Sequence, residues 1–180
     1  DALVRIGRGD VAKVVLARDL VATSEVVIDQ RRLLLRLAER YPECWTFSVD
    51  GLVGATPELL VRRRGDAVTS RVLAGTVRRL GDEAADAAGA AAMQASDKEV
   101  DEHRFAVQSV ADALGEHCIE LDVPAQPRVL RLANVQHLAT DVSGRVADGS
   151  TVLDLVQALH PTAAVCGTPT ETALALIREI

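Results

Sequence analysis

Residues 44–73, CWTFSVDGLVGATPELLVRRRGDAVTSRVL, decide the fold. They hold three apolar, β-branched segments, 44–49, 59–63 and 67–73, punctuated by Asp50-Gly51 and Gly65-Asp66. Asp and Gly paired between apolar runs are turn signals, because both residues tolerate the backbone that tight turns require. Strand, tight turn, strand repeated in this way predicts an antiparallel sheet. It argues against a βαβ series, whose parallel strands need long crossovers.

Outward from this stretch, the Val-rich run at 11–17 reads as a short buried strand. Asp29 is placed to cap an amphipathic helix over Gln30–Arg40, with Leu33, Leu34 and Leu37 on one face. Tyr41-Pro42 ends that helix, since proline disfavours helix in the residue before it. Residues 81–92 are rich in Ala, Gly and Asp and read as a mobile loop or a poorly packed helix start. Ser96 or Asp97 caps a long helix to His117, with Val100, Phe105, Val107 and Val110 among its buried positions. Pro124 and Pro127 break the chain before strands at 128–132 and 135–142. A helix over Val152–Leu159 closes at Pro161, and a further helical pattern runs over 170–180. The fold class is α+β. With 180 residues, 48% of them hydrophobic, the chain has the size of one domain with a sizeable core.

The formal net charge of −6 provides no basic footprint for nucleic acid, and Arg62, Arg63 and Arg64 read as a solvated strand end. No apolar stretch approaches the roughly 20 residues that span a bilayer, so no membrane partner is expected and the chain reads as cytoplasmic. Cys44, Cys118 and Cys166 are odd in number and far apart, which predicts free buried thiols in a reducing compartment. The sequence opens at Asp1 without Met and stops at Ile180 in a helical pattern with no cap. The expectation is a piece of a longer polypeptide.

Several residues carry chemistry, each with a plainer reading beside it. Lys13 interrupts an apolar strand: it is either a snorkelling edge lysine or a desolvated amine able to act as a general base. Glu58, in GATPE, follows the stiff Pro57 bend and is either a turn glutamate or a general acid raised by burial. Glu99 and Glu102 share one helix face, as a solvated acidic patch or as ligands for Mg²⁺. His103 lies four residues after Glu99, but without HExxH or a Cys cluster a zinc site is set aside. In LAGT (73–76), Gly75 permits close backbone approach and Thr76 adds a hydroxyl, though the same residues can simply end a strand. His137 lies in an apolar strand, where a satisfied core histidine is the default. HPTAAVCGTP (160–169) reads as an irregular loop entering a helix, a nonspecific anion site at most.

Taken in order, KVVLAR, GATPE, LAGT, KEVDEH, HLATDV and HPTAAVCGTP resemble consecutive signatures of the chorismate-utilising enzymes, over nearly all of the chain. The resemblance implies an anthranilate synthase component I-like fold of two mainly antiparallel sheets flanked by helices. Residues 1–180 would form part of a single chorismate-binding catalytic domain, with Mg²⁺ holding the ring carboxylate. Ammonia-using members carry glutamine at the position of Lys13, so water is the implied nucleophile. Aminodeoxychorismate synthase has a nucleophilic lysine where this chain has Ala74. Salicylate synthases tend to have threonine near Ala164, and HPTAAVCGTP is closer to the isochorismate synthase form.

The implied reaction is therefore chorismate to isochorismate, with Lys13 as base and Glu58 as acid. Glu99 and Glu102 would serve the metal, while Gly75, Thr76, His137 and Ala164 would line the substrate. Salicylate synthase, another chorismate-utilising activity and a non-catalytic binding or interaction fragment are the alternatives, and menaquinone and siderophore synthesis both remain open as pathways. Family members continue with a glycine-rich loop, an arginine and a tyrosine, and a second glutamate pair, none of which follows Ile180. The chain alone is accordingly expected to be inactive and to self-associate through exposed sheet edges.

Overall fold

The computed structural model describes residues 2–18, 21 and 23–180. In chain order the elements are α1 (Ala2–Gly7), β1 (Lys13–Val14), α2 (Gln30–Arg40), β2 (Trp45–Val49), β3 (Leu52–Thr56), β4 (Leu59–Arg64) and β5 (Ala67–Arg78). There follow α3 (Glu83–Gln94), α4 (Asp97–Gly115), β6 (Cys118–Asp122), β7 (Arg128–Arg131), β8 (Val135–Val146), α5 (Val152–Leu159), β9 (Gly167–Thr168) and α6 (Thr170–Glu179).

Strands β5 and β8 carry the architecture. They pair antiparallel from Ala67↔Arg145 to Arg78↔Val135, with a register shift between Ala74 and Thr76. β4 flanks β5, and β8 takes β6 along its C-terminal end and β7 along its N-terminal half. This gives one five-stranded sheet, beside the β2–β3 hairpin and the two-stranded β1–β9 ribbon. All printed pairings among the described residues are antiparallel. The α+β class and helix-flanked antiparallel sheets expected from the sequence are present.

Alternation along β5 explains where the core lies. Val68 and Val72 are buried and share a face with Val142 across the pair, against Ala106, Val110 and Leu114 of α4 and Leu155 and Leu159 of α5. A second, smaller cluster of Val11, Cys166, Ala173 and Leu176 seats the β1–β9 ribbon on α6. The helix starts follow capping chemistry. Asp29 accepts from the Arg31 N–H at 3.0 Å, Ser96 from the Glu99 N–H at 3.4 Å, and Thr151 with Asp154 forms a capping box.

Several expectations change. The strand read at 11–17 shrinks to Lys13–Val14, because β9 supplies only a two-residue partner. Residues 81–92 are not a loop: Asp82 caps α3, in which Asp86, Ala90 and Met93 are buried. Alanine-rich sequence lacks an apolar period yet has the highest helix propensity. On α4 the buried positions are His103, Ala106, Val110 and Leu114, while Val100, Phe105 and Val107 are half-buried. The helix ends at Gly115, two residues before His117. Strands β3 and β6 were not anticipated, and β5 and β8 both run further than expected.

No helix among the described residues is long and apolar enough to cross a membrane. The three cysteines are free; Cys118 and Cys166 are buried as expected, whereas Cys44, just before the partly exposed hairpin strand β2, is only half-buried. Trp45, Val49, Leu52, Leu33 and Leu35, in the layer of α2 and the β2–β3 hairpin, are exposed.

Candidate functional site

The register shift in β5 is where the site begins. Gly75 has φ +75, and a Cβ placed on it would lie 3.1 Å from Glu99 Oε2 and 3.4 Å from the Leu138 side chain. A side chain there would be strained in backbone and pressed against the α4 carboxylate, so glycine lets the sheet and the helix N-terminus come together. Beyond the shift Thr76 stands opposite His137, whose Nδ1 lies 3.0 Å from Thr76 Oγ1 and 3.3 Å from the Gly75 carbonyl oxygen. A carbonyl can only accept, so this pair places the proton on Nδ1 and the ring's basic lone pair on Nε2. Burial holds the His137 imidazole below its ordinary value, with the Gly75 bond opposing.

Glu99 and Glu102 project from the first turns of α4, the former about a quarter exposed and the latter somewhat more. Lys98 Nζ is 3.9 Å from Glu99 Oε1 and 3.8 Å from Glu102 Oε1. Two carboxylates on one helix face, still open to water, form a donor set that a hydrated hard cation such as Mg²⁺ accepts. No group of three or more His, Cys, Asp or Glu able to hold a metal is found among the described residues.

Lys13 and Glu58 meet the same field. Burial lowers the Lys13 amine below its ordinary value, while the charges of Glu102 and Glu58 work against that shift. Burial raises the Glu58 carboxyl, opposed by a backbone hydrogen bond from Leu73 and by Lys13. The Glu58 N–H donates to Thr56 Oγ1 at 3.2 Å, which fixes the bend after Pro57. Glu58 also lines a cavity of about 210 Å³ with Thr56, Leu60, His160, Thr162 and Val165. Burial thus works on each group toward its neutral form, and each feels the other's charge.

Ala164 is half-buried and packs on the main core cluster, in the loop whose Thr162 and Val165 border the Glu58 cavity. The Ala163 N–H donates to Ser109 Oγ at 3.4 Å, tying that loop to α4.

Sequence reasoning missed His103 as a site-wall residue. It is buried, with Nε2 2.7 Å from Thr140 Oγ1. Burial holds it below its ordinary value against a hydrogen bond with the Ala74 backbone, and the Lys13 charge adds to the lowering. The available signal was position: four residues from Glu99, it shares the face that meets the sheet. His117, Asp148 and Ser150 form a second polar cluster, but Asp148 Oδ2 and Ser150 Oγ both meet the same ring atom, Nδ1, at 2.7 and 3.0 Å. A nucleophile relay needs the two ring nitrogens to serve different partners, so this cluster does not form one.

The family model described as "Chorismate binding enzyme" matches residues 1–180. The isochorismate synthase DhbC of Bacillus subtilis (strain 168) is 40% identical over 190 residues, covering 99% of this chain and 48% of the relative. The isochorismate synthase EntC of Escherichia coli (strain K12) is 38% identical over 175 residues, covering 94% and 45%. The crystal structure of DhbC from Bacillus anthracis superposes with a TM-score of 0.92 at 39% identity, over 99% of this chain and 50% of that one. The chain spans about half the length of the curated relatives it matches.

Proposed function

The chain belongs to the chorismate-binding enzyme family, and on that premise we propose that it carries the acid–base half of an isochorismate synthase site. The observation that supports this most is the opposed displacement of Lys13 and Glu58 within one charge field shared with Glu102. A lysine lowered and a carboxyl raised, each drawn toward its neutral form, suit a base and an acid respectively. The resemblance to DhbC and EntC, both isochorismate synthases, supports the same substrate, chorismate.

In the proposed reaction Lys13 takes a proton from water as the water oxygen bonds ring carbon 2. Both ring double bonds shift in turn, away from carbon 2 and toward carbon 4, the bond from carbon 4 to its hydroxyl breaks, and Glu58 protonates the departing oxygen to give water. Water is gained and lost, so the net change is an isomerisation. His137, Thr76 and Gly75 wall the substrate from the sheet, and Ala164 leaves space beside the Glu58 cavity. Glu99 and Glu102 would hold Mg²⁺, which supplies charge neutralisation and orientation to the ring carboxylate. Each proton transfer is expected to contribute about 10²–10⁴-fold.

The test is chorismate turnover with Mg²⁺ by the gene product that carries this sequence, with products separated by chromatography. Isochorismate that disappears in Lys13→Ala supports the reading. Salicylate with pyruvate moves the assignment to a lyase, and no turnover at all returns it to a binding module. Turnover by the 180 residues alone would overturn the expectation that they are insufficient.

A further inference from the structure

Lys13 stands on a strand of two residues whose ladder partner is β9. Lys13 is opposite Thr168 and Val14 opposite Gly167. On either side, the Ala12 N–H donates to the Thr168 carbonyl and the Val15 N–H to the Cys166 carbonyl, each at 2.8 Å. The five-stranded sheet does not pair with this ribbon, so the backbone under Lys13 takes its position from β9. β9 in turn is held by α6, through the cluster of Val11, Cys166, Ala173 and Leu176.

Gly167 is the point where these layers touch. Its φ is +143, a backbone region that side chains disfavour. A Cβ placed on it would collide with the Lys13 carbonyl oxygen, and would lie 3.0 Å from the Lys13 carbonyl carbon and 2.7 Å from Ala173 Cβ. Two of these three neighbours are backbone atoms of the residue assigned as base, and they cannot rotate away. We propose that Gly167 is the positioning residue for Lys13: its missing side chain lets β9 lie against the Lys13 backbone and against α6 at once. The ribbon then holds the Lys13 amine in the field of Glu58 and Glu102. This rests on the reading of Lys13 as the base. Misplacing a reacting group by about 1 Å costs on the order of 10²-fold in rate, so the small displacement an added methyl forces is enough to show.

The chain offers its own internal standard, because Lys13 and Lys98 are its only lysines. Brief acetylation with acetic anhydride, read by peptide mapping, gives the Lys13:Lys98 reactivity ratio without any assay of turnover. In Gly167→Ala that ratio is expected to rise several-fold as the half-buried amine loosens, and kcat for chorismate to fall by about 10²-fold with KM little changed. Gly167→Ala/Ala173→Gly removes the contact with α6 but not the collision with Lys13, so neither readout should recover. Ala12→Pro removes the N–H donated to Thr168 from an exposed position. It should shift both readouts the same way, and it carries the test if Gly167→Ala does not fold. Leu114→Ala, fully buried in the main core cluster and outside the cluster that seats the ribbon, should lower stability and leave the ratio and kcat alone.

A folded Gly167→Ala with unchanged ratio and kcat overturns the proposal, as does full recovery in the Ala173→Gly background. If the ratio changes while the wild type turns over no chorismate, the ribbon's role is supported and the isochorismate reading is the part that fails.

Discussion

The two ends of α4 differ in kind. Toward its C-terminus, Val110 and Leu114 are buried among Val68, Val72, Val142, Leu155 and Leu159, apolar against apolar. Toward its N-terminus the same helix presents Glu99, Glu102 and His103 to a register shift, a half-buried lysine and a carboxyl held against ionisation. One end gains free energy from burial. At the other, burial pulls Lys13 and Glu58 toward their neutral forms, which works against the folded form at neutral pH and, on the proposed reading, prepares proton transfer. Stability and chemistry in this chain are therefore divided along one helix.

Glu58→Gln should break the reactive end most sharply. Its amide keeps the shape but cannot donate an acidic proton, so kcat for chorismate should fall by about 10²–10⁴-fold while the melting temperature does not drop. Leu114→Ala attacks the other end. That side chain is fully buried, and its truncation should cost about 2–5 kcal/mol in denaturant unfolding, with the kinetics of the remaining folded protein unchanged. Thr140→Val lies between the two, removing the partner of His103 Nε2 without changing volume. Loss of that partner from a buried imidazole should cost about 1–3 kcal/mol and loosen the helix end bearing the carboxylates.

The smallest effects lie in the pH dependence, and they have opposite signs at opposite ends. Glu58, raised by burial, favours folding while protonated. Its contribution is complete below 4.5 and is lost as pH rises through the raised value. Asp148, beside His117 and Ser150 at the far end, is held well below the usual carboxylate range chiefly by the His117 hydrogen bond. Its contribution is present above 3.8 and is lost as pH falls through the depressed value. Melting curves across pH should accordingly flatten on the acid side in Asp148→Asn and above 4.5 in Glu58→Gln.

Helix caps and tight turns were legible in the sequence, because they are local chemistry, whereas of the positions expected to be buried on α4 only Val110 is fully so. Asp29, Ser96 and Asp50-Gly51 each act where their type predicts. The misses have physical reasons. β6 contains Glu120 at φ 53 and a break in its register, which hides the strand's alternation. β3, LVGAT, carries a central glycine that weakens its strand signal. Asp86, inside the alanine-rich α3, is buried because the Leu80 N–H and Arg79 bind it, a partnership 6 and 7 residues back that composition does not reveal. At the candidate site, the motifs single out Lys13, Glu58, Glu99 and Glu102, and the fold sets Lys13 within the charges of Glu58 and Glu102. The support beneath them was not legible: in sequence His103 suggests only a zinc ligand, set aside for want of a motif, and Gly167 reads as one glycine of an irregular loop, with nothing to show that β9 lies against Lys13.

The division along α4 is tested most directly by the melting temperature of Lys13→Met/Glu58→Gln at neutral pH, read beside its chorismate turnover. Changing both residues avoids leaving one charge buried without the other. If the reactive end holds its ionisable pair at the expense of stability, the double variant melts above the wild type and makes no isochorismate. A variant that melts below the wild type, or that still turns over chorismate, contradicts the account.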